Sequence, residues 1–263
     1  MTAPAANLAI TLAVTIALFL LVFAVAARRG RYDLIDSLWG LGFAIVAIVT
    51  FMLSAGHGAI SLRLTVTLLT VLWGLRLAAH IHIRNRARPE DARYAAILRR
   101  AGSHPRRYML TRVYLTQAGV LWFVSLPIQC GQYAPGPPGW PFWAGIAVWT
   151  LGFVFEAVGD HQLRRFRADP GNRGRVLDSG LWRYTRHPNY FGDACVWWGL
   201  YLLACTTWYG AATVLSPIVM TALLAKGTGK PLLERDIGER RPGYADYIHR
   251  TSGFLPLPPR RGQ

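Results

Sequence analysis

Acidic residues are scarce in this chain. Thirteen Asp and Glu stand against 29 Lys and Arg in 263 residues, a formal net charge of +16. Charge of either sign is sparse too, at 16% of residues, where an ordinary soluble domain carries about 25%. There are three cysteines, Cys130, Cys195 and Cys205, and no two stand in C-x-x-C spacing. That excludes a disulfide framework and a zinc-ribbon site; the three read as small apolar packing residues. No haem motif or metal-ligand cluster is visible. What abounds is apolar: 52% of residues are hydrophobic, and the mean hydropathy is +0.25. A soluble nucleic-acid binder with this surplus of positive charge would scatter its basic residues through most segments. Here they are absent from long apolar runs and packed between them. The composition excludes a plain soluble domain, a disordered tail and a fibrous protein. It predicts an all-α, polytopic membrane protein with no nucleic-acid partner.

A bilayer-crossing helix needs roughly 20 mostly apolar residues. Seven runs qualify, at about 7–27, 34–54, 62–83, 108–129, 140–158, 189–207 and 208–226. The first has a small-x-small ending (Ala24, Val25, Ala26) but no Lys or Arg before it, so it reads as a retained helix rather than a cleaved leader. Of the 29 basic residues, 27 fall after the first span, in 84–112, in 164–186 and in the tail from Lys226. The alternate loops, at 56–61, 131–141 and 206–209, hold none. The positive-inside rule then predicts seven spans with the N-terminus outside and the C-terminus in the cytosol. The expected location is the inner cell membrane. Residues 1–263 read as a single membrane domain, whose basic loops also suit contact with anionic lipid.

Ionisable groups inside spans are costly, so they mark functional candidates. The third span carries Trp73, Arg76, His80 and Arg84 at spacings that place them on one helical face. The fifth ends with Glu156, Asp160, Arg164 and Arg167, one stripe running from the membrane interior to the cytosolic surface. In the sixth, Asn189, Asp193 and Trp197 share a face; Asp36 stands near the start of the second. Several converging polar stripes predict a cavity that opens to the cytosol and admits something anionic. The most informative segment is 180–193, G-L-W-R-Y-T-R-H-P-N-Y-F-G-D. Its R-H-P-x-Y-x-G core, Arg186 to Gly192, sits just before a span, and Pro188 suits a first helical turn. The other free N–H groups and positive end of such a helix suit an anion.

These residues resemble the steroid 5-alpha-reductase family, in particular bacterial members of unassigned substrate. The resemblance includes L-I-D-S-L-W-G-L-G at 34–42, L-W-G-L-R-L-A-A-H-I-H-I-R-N at 72–85, residues 155–190 and the tail 232–258, and its cofactor-binding part lies in about 108–263. It implies a seven-helix membrane reductase that uses NADPH to saturate a carbon–carbon double bond conjugated to a ketone in a steroid-like or other lipophilic substrate. Asn85, Arg86 and Arg88 resemble the family's N-R-x-R-P loop, which faces the nucleotide phosphates, and guanidiniums suit that task. Asp160 and Arg164 resemble the D-x-x-L-R of the fifth helix, with Arg167 one turn on. Tyr184, Arg186, His187 and Asn189 resemble the cofactor-binding segment, and Asp193 takes the place of a family Glu. The family pairs a Glu on the second helix with a Tyr on the third. Here Asp36 stands on the second and the third has no Tyr, so the expected carbonyl-activating group is Asp36 with His80 or Arg76. Tyr244, Tyr247 and Arg250, after Glu234, read either as an amphipathic helix on the membrane surface or as a lid over the cofactor.

The R-H-P-x-Y-x-G core and the tail Glu followed by tyrosines also occur in isoprenylcysteine and phospholipid methyltransferases, which use S-adenosylmethionine. The N-Y-x-G-D form at 189–193, the N-R-x-R-P loop and the Asp160/Arg164 stripe favour the reductase. A non-enzymatic lipid-binding scaffold would explain the basic loops but not the intramembrane stripes.

Overall fold

The computed structural model describes residues 2–86, 88–137, 139–227 and 242–260. Among them the structure is helical, with one isolated bridge between Thr185 and Ser252. The helices are α1 (Ala3–Arg29), α2 (Leu34–Leu53), α3 (Ile60–Arg86), the short α4 (Ala92–Arg100), α5 (Pro105–Gly131), α6 (Trp140–Ala168), α7 (Pro188–Ala204), α8 (Trp208–Ala225) and α9 (Tyr244–Arg250). Six of them, α1, α2, α3, α5, α6 and α8, are long and apolar enough to cross a membrane, and the chain is a multi-pass integral membrane protein. The expected span at 189–207 falls on α7, which has 17 residues, the short end of the spanning range.

Local chemistry sets the helix ends. Arg28 and Arg29 lie in the last turn of α1, where cations complement the helix dipole. Gly30 then takes φ +63° and returns its N–H to the Ala26 carbonyl. Asp91 caps α4 by accepting the Arg93 N–H at 2.9 Å. Trp140, Trp143 and Trp208 are strongly exposed at the starts of α6 and α8, as interfacial belt residues would be.

Contacts divide the chain into two compact units: Met1–Phe142 with Leu203–Thr213, and Trp143–Leu202 with Val214–Gln263. In the first, α2 and α3 pack along their length. Gly40 and Gly74 face each other there so closely that a Cβ on either would overlap the other's carbonyl. Lipid tails are as apolar as leucine, so close backbone approach of this kind is what holds helices together in a bilayer. α1 meets α5 through a buried polar knot. Asn7 Nδ2 and Thr11 Oγ1 donate to Gln129 Oε1 at 3.2 and 2.6 Å, and Gln129 Nε2 donates to Ser125 Oγ at 2.8 Å. In the second unit α6 and α7 pack through a seam of glycines seven residues apart. A Cβ on Gly152 or Gly192 would strike backbone of the facing helix, and one on Gly199 would strike Trp149. Gly159, one heptad beyond Gly152, sits under Pro188 and Asn189 at the start of α7.

Candidate active site

The first unit holds a cluster around Asp36. The carboxylate stands in the first turn of α2, 15% exposed. It accepts the Tyr94 hydroxyl at 2.5 Å on Oδ1 and Arg93 Nη2 at 2.9 Å on Oδ2. Both partners come from α4. Arg93 is itself held by Asp91, through its Nε and Nη2 at 3.0 Å. Gln117 of α5 binds the Trp39 indole N–H at 2.7 Å and also hydrogen-bonds to Tyr94. Burial, and then the negative Asp36, push the Tyr94 phenol well above its ordinary value of 10.0, so it stays protonated at neutral pH. Burial works against the charge on Asp91, but its bonds to Arg93 win and hold that carboxyl below the usual range.

The loop that follows α3 is tied at both ends to the turn between α1 and α2. Arg31 Nη2 donates to the Asn85 carbonyl at 3.1 Å and to Asp33 at 2.9 Å. Glu90 Oε1 accepts the Tyr32 N–H at 2.6 Å, and Tyr114 donates to the Tyr32 carbonyl at 2.9 Å. Between these ties Arg86 and Arg88 are exposed, and Ala87 lies outside the described residues. On α3 the stripe grades outward: Trp73 is fully buried, Arg76 and His80 are half-buried, and Arg84 is exposed.

The second unit holds another cluster, on α6 and α7. The expected stripe of α6 is present as a gradient. Glu156 and Asp160 are buried, while Arg164 and Arg167 are exposed. Asn189 Nδ2 donates to Asp160 Oδ1 at 3.1 Å, so the structure joins two residues expected to share a site. The contact is possible because Gly159 leaves room for the start of α7. Asp193 and Trp197, one and two turns along, are also buried. His187 is buried and stacks on Tyr190, ring centroids 5.4 Å apart.

The remaining expected residues clasp the tail. Arg186 directs Nη1 to the carbonyls of Ile248 and Thr251 at 3.2 and 2.7 Å, and its N–H to that of Ser252 at 2.9 Å. Tyr247 is buried and donates to the Trp182 carbonyl at 2.5 Å; Trp182 in turn donates to the Gly159 carbonyl at 3.1 Å. Tyr244 is buried beside Tyr247, whereas Tyr184 is half open to solvent. Glu234 lies outside the described residues. Asp36, Arg76, His80, Asn85, Arg86 and Arg88 thus belong to the first unit, and the other expected site residues to the second.

Sequence reasoning missed Tyr94 and Arg93. They lie outside every span, where intramembrane polarity gives no signal. The available signal was the N-cap Asp91 opening a short helix directly after the N-R-x-R-P loop.

Helices of spanning length with carboxylates buried near one end define a membrane protein built around polar sites. The chain belongs to the family described as protein of unknown function DUF1295, matched over residues 22–251. A shorter stretch is similar to proteins named 3-oxo-5-alpha-steroid 4-dehydrogenase 1. The match is 33% identical over 86 residues for Rattus norvegicus, or 32% of each chain. It is 33% over 102 residues for Bos taurus, or 37% of each, and 38% over 72 residues for Homo sapiens, or 27% of each. The chain therefore spans about a third of the length of the curated relatives it matches. No solved structure matches it.

Proposed function

We propose that the protein is an NADPH-dependent oxidoreductase of the membrane that reduces a carbon–carbon double bond conjugated to a ketone in a lipophilic, steroid-like substrate. Similarity to proteins named as steroid dehydrogenases supports the reaction class. The observation that carries the reading is the hydrogen-bonded Tyr94–Asp36–Arg93 cluster, a carboxylate–phenol pair assembled from a short helix rather than from the third span. Seven spans, with the N-terminus outside and the basic loops in the cytosol, complete the reading.

NADPH, when bound, would supply a hydride to the carbon β to the ketone; negative charge collects on the carbonyl oxygen until a solvent proton reaches the α-carbon and completes the saturated ketone. Tyr94 is the donor assigned to that oxygen. Burial and the Asp36 charge keep its phenol protonated, so the proton is in place before the reaction. As the phenolic proton turns from Asp36 Oδ1 to the substrate oxygen, Arg93 still holds the other carboxylate oxygen, and no buried charge is stranded. A donor fixed in advance stabilises developing charge with little reorganisation. Arg76 and His80, half-buried on α3, remain candidates for the same oxygen.

The residues present fit the cofactor. Exposed guanidiniums at Arg164 and Arg167 of the second unit suit its phosphates. The Asp160–Asn189 pair offers the donors and acceptors that a carboxamide or a ribose diol requires. Tyr184, His187 and Asp193 belong to the same assigned set. Arg186, Tyr244 and Tyr247 act as positioning residues, holding the tail against the start of α7.

The test uses detergent-solubilised full-length protein, NADPH and a panel of enone lipids, with the saturated product read by mass spectrometry. Product formation that requires NADPH supports the assignment. Thermal stabilisation by S-adenosylmethionine with no response to NADPH sinks it.

A further inference from the structure

The second unit contains a cavity of about 490 Å³ that the reductase reading does not use. Three segments build it: the turn at 178–183, the last turn of α9, and the tail at 259–260. Its charged lining is Arg183, Arg250 and Arg260 against the single carboxylate of Asp178. That carboxylate is already occupied, because Arg250 Nη2 binds it at 2.5 Å. Arg183 and Arg260 are exposed along the same lining.

A helix C-terminus beside such a cavity would normally repel an anion through its unpaired carbonyls. Here four of the oxygens at that end are tied. Arg186 takes the carbonyls of Ile248 and Thr251, the Arg260 N–H takes that of Arg250 at 2.9 Å, and the Thr251 N–H takes that of Tyr247 at 3.0 Å. The frame is braced from behind. Gly180, at φ +61°, lets the turn lie against Gln162, and Tyr247 bonds the Trp182 carbonyl. The cavity is therefore a concave, net-positive surface whose carboxylate is paired. The segments that build it also expose apolar side chains, Leu255 and Leu257 in the tail and Ile248 of α9.

We infer that this cavity is an oxyanion site for a phosphate group. Guanidiniums in a fixed concavity match tetrahedral phosphate oxygens with paired N–H donors. Two sources carry that chemistry, the headgroup of an anionic phospholipid and a soluble phosphate, and the exposed leucines of the tail suit the first. The site is independent of the reductase reading, which assigns no role to Arg183 or Arg260.

The test compares full-length wild-type protein with Arg183→Gln/Arg260→Gln, which leaves the Arg250–Asp178 pair intact. Arg99→Gln/Arg100→Gln, at exposed positions on α4, is the control for net charge. One arm uses nanodiscs of phosphatidylcholine with and without phosphatidylglycerol. The other titrates inorganic phosphate into lipid-free detergent solution. Thermal stability without ligand should be unchanged in both variants. Stabilisation by phosphatidylglycerol, about tenfold weaker in the Arg183/Arg260 variant and unchanged in the control, supports the site and identifies a lipid source. The same pattern with inorganic phosphate supports it with a soluble source. Equal responses of wild type and the Arg183/Arg260 variant in both arms overturn the inference, as does an equal loss in the Arg99/Arg100 control.

Discussion

The two units hold a polar group in a membrane helix in different ways. In the first, Asp36 sits at the start of a long helix and is satisfied from outside the spans, by side chains 57 and 58 residues along the chain on a short capped helix. In the second, Asp160 is satisfied by a neighbouring helix, and the contact rests on glycines that let two backbones approach. The first arrangement depends on a soluble-type helix staying docked; the second depends on backbone shape. A polar group held by side chains of a short helix outside the spans can exchange its partner during a reaction. One held by helix packing is better suited to keeping a ligand in a constant orientation. Under the proposed function, the first arrangement suits proton donation and the second suits cofactor contact.

The sharpest way to separate the two is Tyr94→Phe. It should lower kcat by roughly 100- to 10,000-fold, the range for loss of a positioned proton donor, while stabilisation by NADPH persists. The pH profile adds a sign. Because burial, and then Asp36, raise the phenol's pKa, turnover should not decline through Tyr94 ionisation until pH exceeds the ordinary tyrosine value of 10.0. Asp36→Asn removes the charge that raises it, so any residual alkaline decline should move to lower pH. A profile unchanged by Asp36→Asn would break the assignment.

Gly192→Leu attacks the second unit's device. A side chain there meets the backbone at Glu156, and overpacking of this kind costs about 3 kcal/mol. Gly119→Leu on α5, where a Cβ would meet nothing within 4 Å, is the comparison and should shift the melting temperature little. If both glycines tolerate leucine equally, close approach is not what holds α6 and α7. Asn189→Ala is milder. It should weaken NADPH by about tenfold, the loss expected for a single neutral hydrogen bond of about 1 kcal/mol, with kcat nearly unchanged. A fall in kcat with unchanged affinity would reverse the roles given to the two units. The smallest effect is expected from Asp91→Ala, which removes the α4 cap at a cost of about 1 kcal/mol. Local amide exchange across 92–100 should rise, and turnover should fall a few-fold as Tyr94 loosens.

Much of this was legible in the sequence because hydropathy and polarity within spans obey simple periodicities. The spanning helices stand near their expected positions, and the α6 stripe grades from buried Glu156 to exposed Arg167 as its spacing implied. The Asp160–Asn189 contact joins residues that the motif resemblance had assigned together. Glycines seven residues apart recur on both α6 and α7, but that spacing alone does not say that the two helices face each other. Tyr94 was not legible from the spans, because its role arises from tertiary docking of a nine-residue helix that local pattern alone cannot position. Arg186, which the motif resemblance places in the cofactor-binding segment, directs its Nη1 to two backbone carbonyls 62 and 65 residues along the chain, a contact that local pattern does not reveal.

The most direct test of the central claim measures binding and turnover on the same preparations of wild type and Tyr94→Phe. NADPH is titrated by thermal stability, and single-turnover reduction of an enone lipid is followed in parallel. The account predicts equal NADPH affinity for the two proteins and reduction by the wild type alone. Undiminished reduction by Tyr94→Phe, or a wild type that binds no NADPH, would contradict it.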